Sequence, residues 1–191
     1  MKQIATSFAL LSFFTAVSAY AQETSKQYKV VEPPYCINNK NEQVEFRQRS
    51  SGGLQVAAGL AARDVEDKPF VLRLNYTLSP PEFQSFIDRH ECAHHQTGDV
   101  DRPHPPRNGP EHLLNESISD CIAILRLRDE ENYDEAGLEA VTSAMRADMA
   151  KIGFPEISIS SRISNTENCY KRDGSPADYI EAIKIRRAQN Q

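Results

Sequence analysis

The sequence predicts an α+β fold, mostly helical, with a small β-sheet or hairpin ahead of its first long helix. Apolar residues recur at helical spacing in three segments, residues 83–94, 110–131 and 134–152. Gln43–Arg49 precedes them and reads as a short strand. Only 8% of the 191 residues are aromatic and none is Trp, so aliphatic packing between helices must supply most of the core.

Met1–Ala21 has Lys2 as a short positive start, an apolar run from Ile4 to Val17 and the ending Ala19-Tyr20-Ala21. That is the pattern of a cleaved export signal, and the run is too short to be a stable membrane span. The remainder, 22–191, is expected to form one domain. Gln22–Tyr35 is polar and reads as extended. Ser79-Pro80-Pro81-Glu82 has the form of a capping box: Ser as N-cap, Pro in the first turn and Glu at N3. Phe83, Phe86, Ile87, His90 and His94 follow on one face, and Thr97-Gly98 provides a stop. Four prolines lie between Arg102 and Pro110, in a linker that either walls a cleft or simply joins two helices. The second helix runs from Pro110 to Glu131, and the third from Asp134 to Ile152, ended by Gly153. Ser175-Pro176-Ala177-Asp178 repeats the capping pattern and opens a C-terminal helix reaching about Arg187.

The chemistry is concentrated in the first helix. His90-Glu91-Cys92-Ala93-His94 reads H-E-x-x-H. Histidines at i and i+4 share a helical face and can reach one metal ion. Glu91, one residue on, lies beside that face, where a carboxylate can take a proton from water. Cys92 is about 200° around the helix from His90, which argues against it as a ligand. Glu116 and Asp120 share a face of the second helix. One can complete the coordination while the other accepts the N–H of a ligating imidazole. Two imidazoles and one carboxylate leave an open fourth position, as a catalytic zinc site requires. Asp99, Asp101, Glu111 and His112 are rival sources of the third ligand. His95, His104, His112 and Tyr76 are candidate oxyanion-stabilising groups.

H-E-x-x-H followed in the next helix by Glu116-x-x-x-Asp120 resembles the gluzincin metallopeptidases. Leu54–Arg63, then Pro69–Tyr76, then the cap at Ser79 is similar to the strand, strand, helix order of the compact minigluzincin and HtpX-like cores. The resemblance covers residues 54–130 and implies a zincin-like core. It implies one zinc ion held by His90, His94 and Glu116, with Glu91 as general base and Asp120 behind the ligands. The expected activity is hydrolysis of peptide or protein substrates, with an extended substrate pairing along Pro69–Tyr76 or its partner strand. The metzincin pattern is excluded, because Thr97 and Val100 stand where it needs Gly and His.

Cys36, Cys92, Cys121 and Cys169 all follow the signal. An even count in an oxidising compartment predicts two disulfides. Side-by-side packing of the two ligand-bearing helices would pair Cys92 with Cys121, and hence Cys36 with Cys169. The export signal points to a periplasmic or secreted bacterial protein. A net charge of −5 argues against nucleic acid and anionic membrane surfaces as partners. The competing expectation is a secreted module that keeps zinc for stability and binds a peptide or protein without cleaving it.

Overall fold

Four short strands precede five helices in the computed structural model, which describes residues 28–30, 34–49, 58–74, 80–107 and 109–189. The signal-like Met1–Ala21 segment, Tyr76 and Ser79 lie outside these residues. The strands are β1 (Tyr28–Val30), β2 (Glu45–Arg49), β3 (Gly59–Arg63) and β4 (Pro69–Arg73). They form one sheet in the order β1-β2-β4-β3, with β2 and β4 parallel and the other two pairings antiparallel. β4 is therefore interior, with both edges occupied. Of the two strands expected to meet a substrate, only its partner β3 lies at a sheet edge.

The helices are α1 (Pro81–Gln96), α2 (Pro110–Glu130), α3 (Glu135–Lys151), α4 (Glu156–Tyr170) and α5 (Pro176–Gln189). Pro80 occupies the cap position of α1, and Pro81 begins it, where a missing N–H costs nothing. Gly98 ends it in the left-handed region at φ +75°. α3 starts at Asp134, whose carboxylate accepts from the Gly137 N–H at 3.0 Å. α5 carries the expected capping box. Asp178 N–H donates to Ser175 Oγ at 3.1 Å, and Ser175 N–H donates back to Asp178 at 3.3 Å.

α1 lies across the sheet. Cys36, Val44, Phe46, Val71 and Cys92 fill the space between them. Arg73 on β4 and Asp88 on α1 form a buried two-bonded pair, at 2.8 and 2.5 Å, that fixes the helix on the sheet. The middle of α2 is buried on every side, with Ile122, Ala123, Ile124 and Leu125 almost fully enclosed, as befits a central helix. On one side it meets α1, α3 and α4 through Phe86, Leu125, Val141 and Ile159. On another, Ile118 and Ile122 meet Ala93 of α1 and Ile180 and Ile183 of α5. No helix among the described residues is long and apolar enough to cross a membrane.

α4 is an element that the sequence pattern did not announce. Its buried residues, Ile159, Ile163, Thr166 and Cys169, sit at helical spacing, but Ser and β-branched residues between them weaken the local signal. Tertiary bonds hold it in place.

The disulfides join Cys36 to Cys92 and Cys121 to Cys169, which corrects the expected pairing. α1 and α2 do pack together, but Cys92 points from the opposite face of α1, into the sheet-side core. Cys121 faces α4. The bridges close separations of 56 and 48 residues. In the chain-entropy account, each such closure stabilises the folded state by about 4 kcal/mol. Peptide mapping without reduction is expected to recover these two linked pairs. Recovery of a Cys92–Cys121 peptide would contradict this packing.

His95 is buried against the sheet, with Nε2 2.9 Å from the Phe70 carbonyl. Burial pulls its pKa down to about 4 despite that acceptor. The unfolded chain therefore takes up the proton first as pH falls. The stabilisation is complete above the ordinary value near 6.5 and is lost as pH drops toward 4. That loss amounts to about 3 kcal/mol. Denaturation curves of wild type and His95→Gln between pH 4 and 7 should diverge, the variant having the flatter profile. Parallel profiles would refute the assignment.

Candidate metal centre

His90 and His94 project from the last turns of α1 toward Glu116, in the first half of α2. The facing Nε2 atoms are 3.1 Å apart. Glu116 Oε2 is 3.5 Å from His90 Nε2, and Glu116 Oε1 is 3.5 Å from His94 Nε2. An ion held tetrahedrally at 2.0–2.1 Å separates its ligand atoms by about 3.3 Å. The three donors match that spacing, so His90, His94 and Glu116 could hold a metal ion. Nitrogen and carboxylate donors suit zinc and its divalent neighbours better than Mg²⁺ or Ca²⁺, which prefer all-oxygen shells.

Each imidazole is backed by a carboxylate. Asp120, fully buried, lies 2.8 Å from His90 Nδ1. Its carboxylate faces that ring nitrogen at contact distance, with Arg162 behind it. Asp99, just past the end of α1, accepts from His94 Nδ1 at 3.0 Å. Asp99 is thus the orienting group for His94 and does not join the ligand cluster. Asp120 plays the same part for His90, as expected.

Behind each carboxylate stands an arginine. Arg162 on α4 forks onto Asp120 at 2.8 and 2.6 Å and also comes within 3.4 Å of Glu116. Arg187 on α5 and Arg102 each reach Asp99 Oδ1 at 2.7 Å. Arg187 further donates to the Thr97 carbonyl and, at 2.9 Å, to Asn115 Oδ1. Arg162 did not stand out in the sequence, and Arg187, with Lys184 and Arg186, read there as a charge suited to a helix C-terminus and not as a binding patch, because each acts from a helix remote along the chain. The one pointer to Arg162 was Cys169 on the same helix, and it became readable only with its true partner, Cys121.

The electrostatics follow from these pairs. Burial pulls the His90 and His94 imidazoles down, but Asp120, Asp99 and Glu116 outweigh it and hold both above the ordinary value. Burial alone would raise the Glu116 carboxyl, yet the two imidazoles hold it well below the usual range. Asp120 and Asp99 are likewise kept low against burial, by Arg162 and His90 and by His94 and Arg187 respectively. Metal uptake must therefore displace protons from the imidazoles, so affinity falls as pH falls.

Glu91 is also buried. Burial raises its pKa, and the neighbouring imidazoles and the Ala61 N–H only partly offset this. It lies against the edge strand, where a Cβ at Gly59 would fall 2.6 Å from Glu91 Cγ and 2.7 Å from Oε1. Gly59 thus admits the Glu91 carboxylate, a close approach that the sequence alone did not reveal.

The remaining candidates lie apart from the cluster. His95 is on the sheet side of α1. Asp101 pairs with Lys40 and Arg63, and Glu111 pairs with Arg102. His104 and His112 stack on each other, their ring centres 6.2 Å apart. Tyr76 lies outside the described residues.

Comparison with protein-family models, with curated proteins and with solved structures finds no match.

Gly59→Ala is expected to displace the Glu91 carboxylate while leaving all three donors in place. Titration with Co²⁺, followed by its visible spectrum, should give affinity within about threefold of wild type. Any hydrolytic activity should drop at least tenfold, in the range expected when a general base is misplaced. Unchanged activity in a variant that still binds metal would show that the contact does not matter.

Proposed function

We propose that this protein is an exported zinc peptidase that uses Glu91 as its general base. The observation that carries the reading is the joint placement of Glu91 and the His90–His94–Glu116 cluster in one buried site. Its ligand-competent atoms converge, and a proton-accepting carboxylate stands beside them. A site kept only for stability has no need of that carboxylate. The two disulfides and the signal-like Met1–Ala21 segment support an oxidising compartment outside the cytoplasm.

A zinc ion bound by the three donors would act as a Lewis acid toward water and a substrate carbonyl. Glu91 takes a proton from the attacking water onto its carboxylate and hands it to the departing amine. Burial raises its pKa from the ordinary carboxylate value toward the working pH, which improves it as both acceptor and donor. The Ala61 N–H holds the carboxylate against β3. The outer edge of β3 offers an extended substrate backbone a place to pair next to Glu91, and sequence preference would then arise from alternate side chains.

The test separates metal binding from chemistry. Purified protein should contain close to one zinc per chain. Glu91→Gln should keep the zinc yet lose cleavage of a peptide library by about 10²–10⁴-fold. Glu116→Ala should weaken zinc binding itself, and Asp120→Ala should lower affinity or activity by about 10–100-fold. Full cleavage by Glu91→Gln would eliminate the mechanism. A zinc-loaded wild type that cleaves nothing would favour the non-catalytic peptide-binding module instead.

A further inference from the structure

A second concave feature lies at the start of α2, and Asn115, the residue before Glu116, is part of its lining. It is a groove of about 330 Å³ between the start of α2, the C-terminal half of α5 and Arg102. Leu114, Ile118 and Ile183 form its apolar surface, and Arg102, Arg186 and Arg187 supply three guanidinium groups. Leu114 remains 56% exposed, unusually open for a leucine beside two buried isoleucines. Glu111 is the one acid lining the groove, and it is held by Arg102 at 3.2 Å. Arg186 forms no ion pair among the described residues, and the buried Nε–H of Arg102 has no acceptor. The three guanidinium groups face two carboxylates, Glu111 and the Asp99 that Arg102 and Arg187 share, so the rim keeps a net positive charge over its aliphatic floor, with Arg186 as its unpaired cation among the described residues.

We propose that this groove binds the C-terminal residue of a peptide, its carboxylate on the arginines and an aliphatic side chain on Leu114, Ile118 and Ile183. Guanidinium groups pair with carboxylates through two parallel N–H···O bonds, and that match sets the polar end of the ligand. The floor sets the apolar end. The Asn115 carboxamide, which accepts from Arg187 at 2.9 Å, lines the groove with Arg187, and both are polar partners suited to a peptide amide.

The groove is wired to the metal centre. Arg102 and Arg187 are the two arginines that hold Asp99, and Asp99 orients His94. A carboxylate that draws either guanidinium toward the groove changes the support of a metal ligand. Peptide and metal affinities are then coupled, and by linkage the effect is reciprocal. This inference does not depend on catalysis, because a non-catalytic metal protein would show the same binding.

The test uses metal-loaded protein and methyl NMR. Acetyl-Ala-Leu with a free carboxylate should shift the Leu114, Ile118 and Ile183 methyl signals. Its C-terminal amide should bind at least tenfold more weakly, the loss expected for a charge-assisted pair. 4-Methylpentanoate, which has the same two ends without the amide, should bind more weakly than the peptide. Arg186→Gln should weaken peptide binding about tenfold, and its unchanged Co²⁺ spectrum would confirm an intact metal site. Zinc affinity measured with and without saturating peptide should differ severalfold. Equal binding of acid and amide, or unaltered binding by Arg186→Gln, would overturn the site. Equal binding of 4-methylpentanoate and peptide would overturn the peptide as ligand. Identical zinc affinities would overturn the coupling. None of these results depends on whether Glu91 supports hydrolysis.

Discussion

Charge compensation at the junction of α1 and α2 is the constraint on which the rest of the molecule depends. Four carboxylates, Glu91, Asp99, Glu116 and Asp120, lie close to two imidazoles in a region largely closed to water. Unpaired, any of them would shift toward its neutral form or destabilise the fold by several kcal/mol. The structure answers with two parallel chains, His90–Asp120–Arg162 and His94–Asp99–Arg187. Each ends on a different C-terminal helix. α4 and α5 are therefore more than packing around α2, because they bring the cations without which the acids could not stay buried and ionised.

The same arrangement explains how much of the molecule could be read from its sequence. His90, Glu91, His94, Glu116 and Asp120 were legible because helical spacing, a local property, places them on defined faces. The ends of α1 and α3 were legible because Gly98 and Gly153 do there what glycine alone does readily. Arg162 and Arg187 were not, since an arginine seven residues from a cysteine or near a helix end has no local mark of its target. Asp99 was seen as a possible ligand, yet its role depends on a turn placing it beneath His94 on the side away from the cluster. α4 escaped for a related reason. Its Ser- and Ile-rich sequence has modest helical preference, and its stability comes from Cys121, Asp120 and the α2–α3 surface.

The disulfides show the difference between knowing a direction and knowing a neighbour. Cys92 was expected to point away from the ligands, and it does. What covers that face is a tertiary fact: the sheet-side core, with Cys36 in it, and not α2. Each bridge has one end beside the donor set, Cys92 between the two histidines and Cys121 next to Asp120. The helices that carry the donors are thus cross-linked to different parts of the fold, one to the segment before β2 and the other to α4. Both anchors limit how far either helix can slide before the donor spacing is lost.

The position of Arg187 also has a consequence in time. Its guanidinium meets the Thr97 carbonyl across a separation of 90 residues, and the same side chain braces Asp99. A ribosome releases the histidines well before it releases this arginine. During that interval α1 can form its turns, but the support beneath His94 is missing. His90, His94 and Glu116 are all present before the last helix docks, so what α5 adds is the final brace behind a donor set already assembled from α1 and α2.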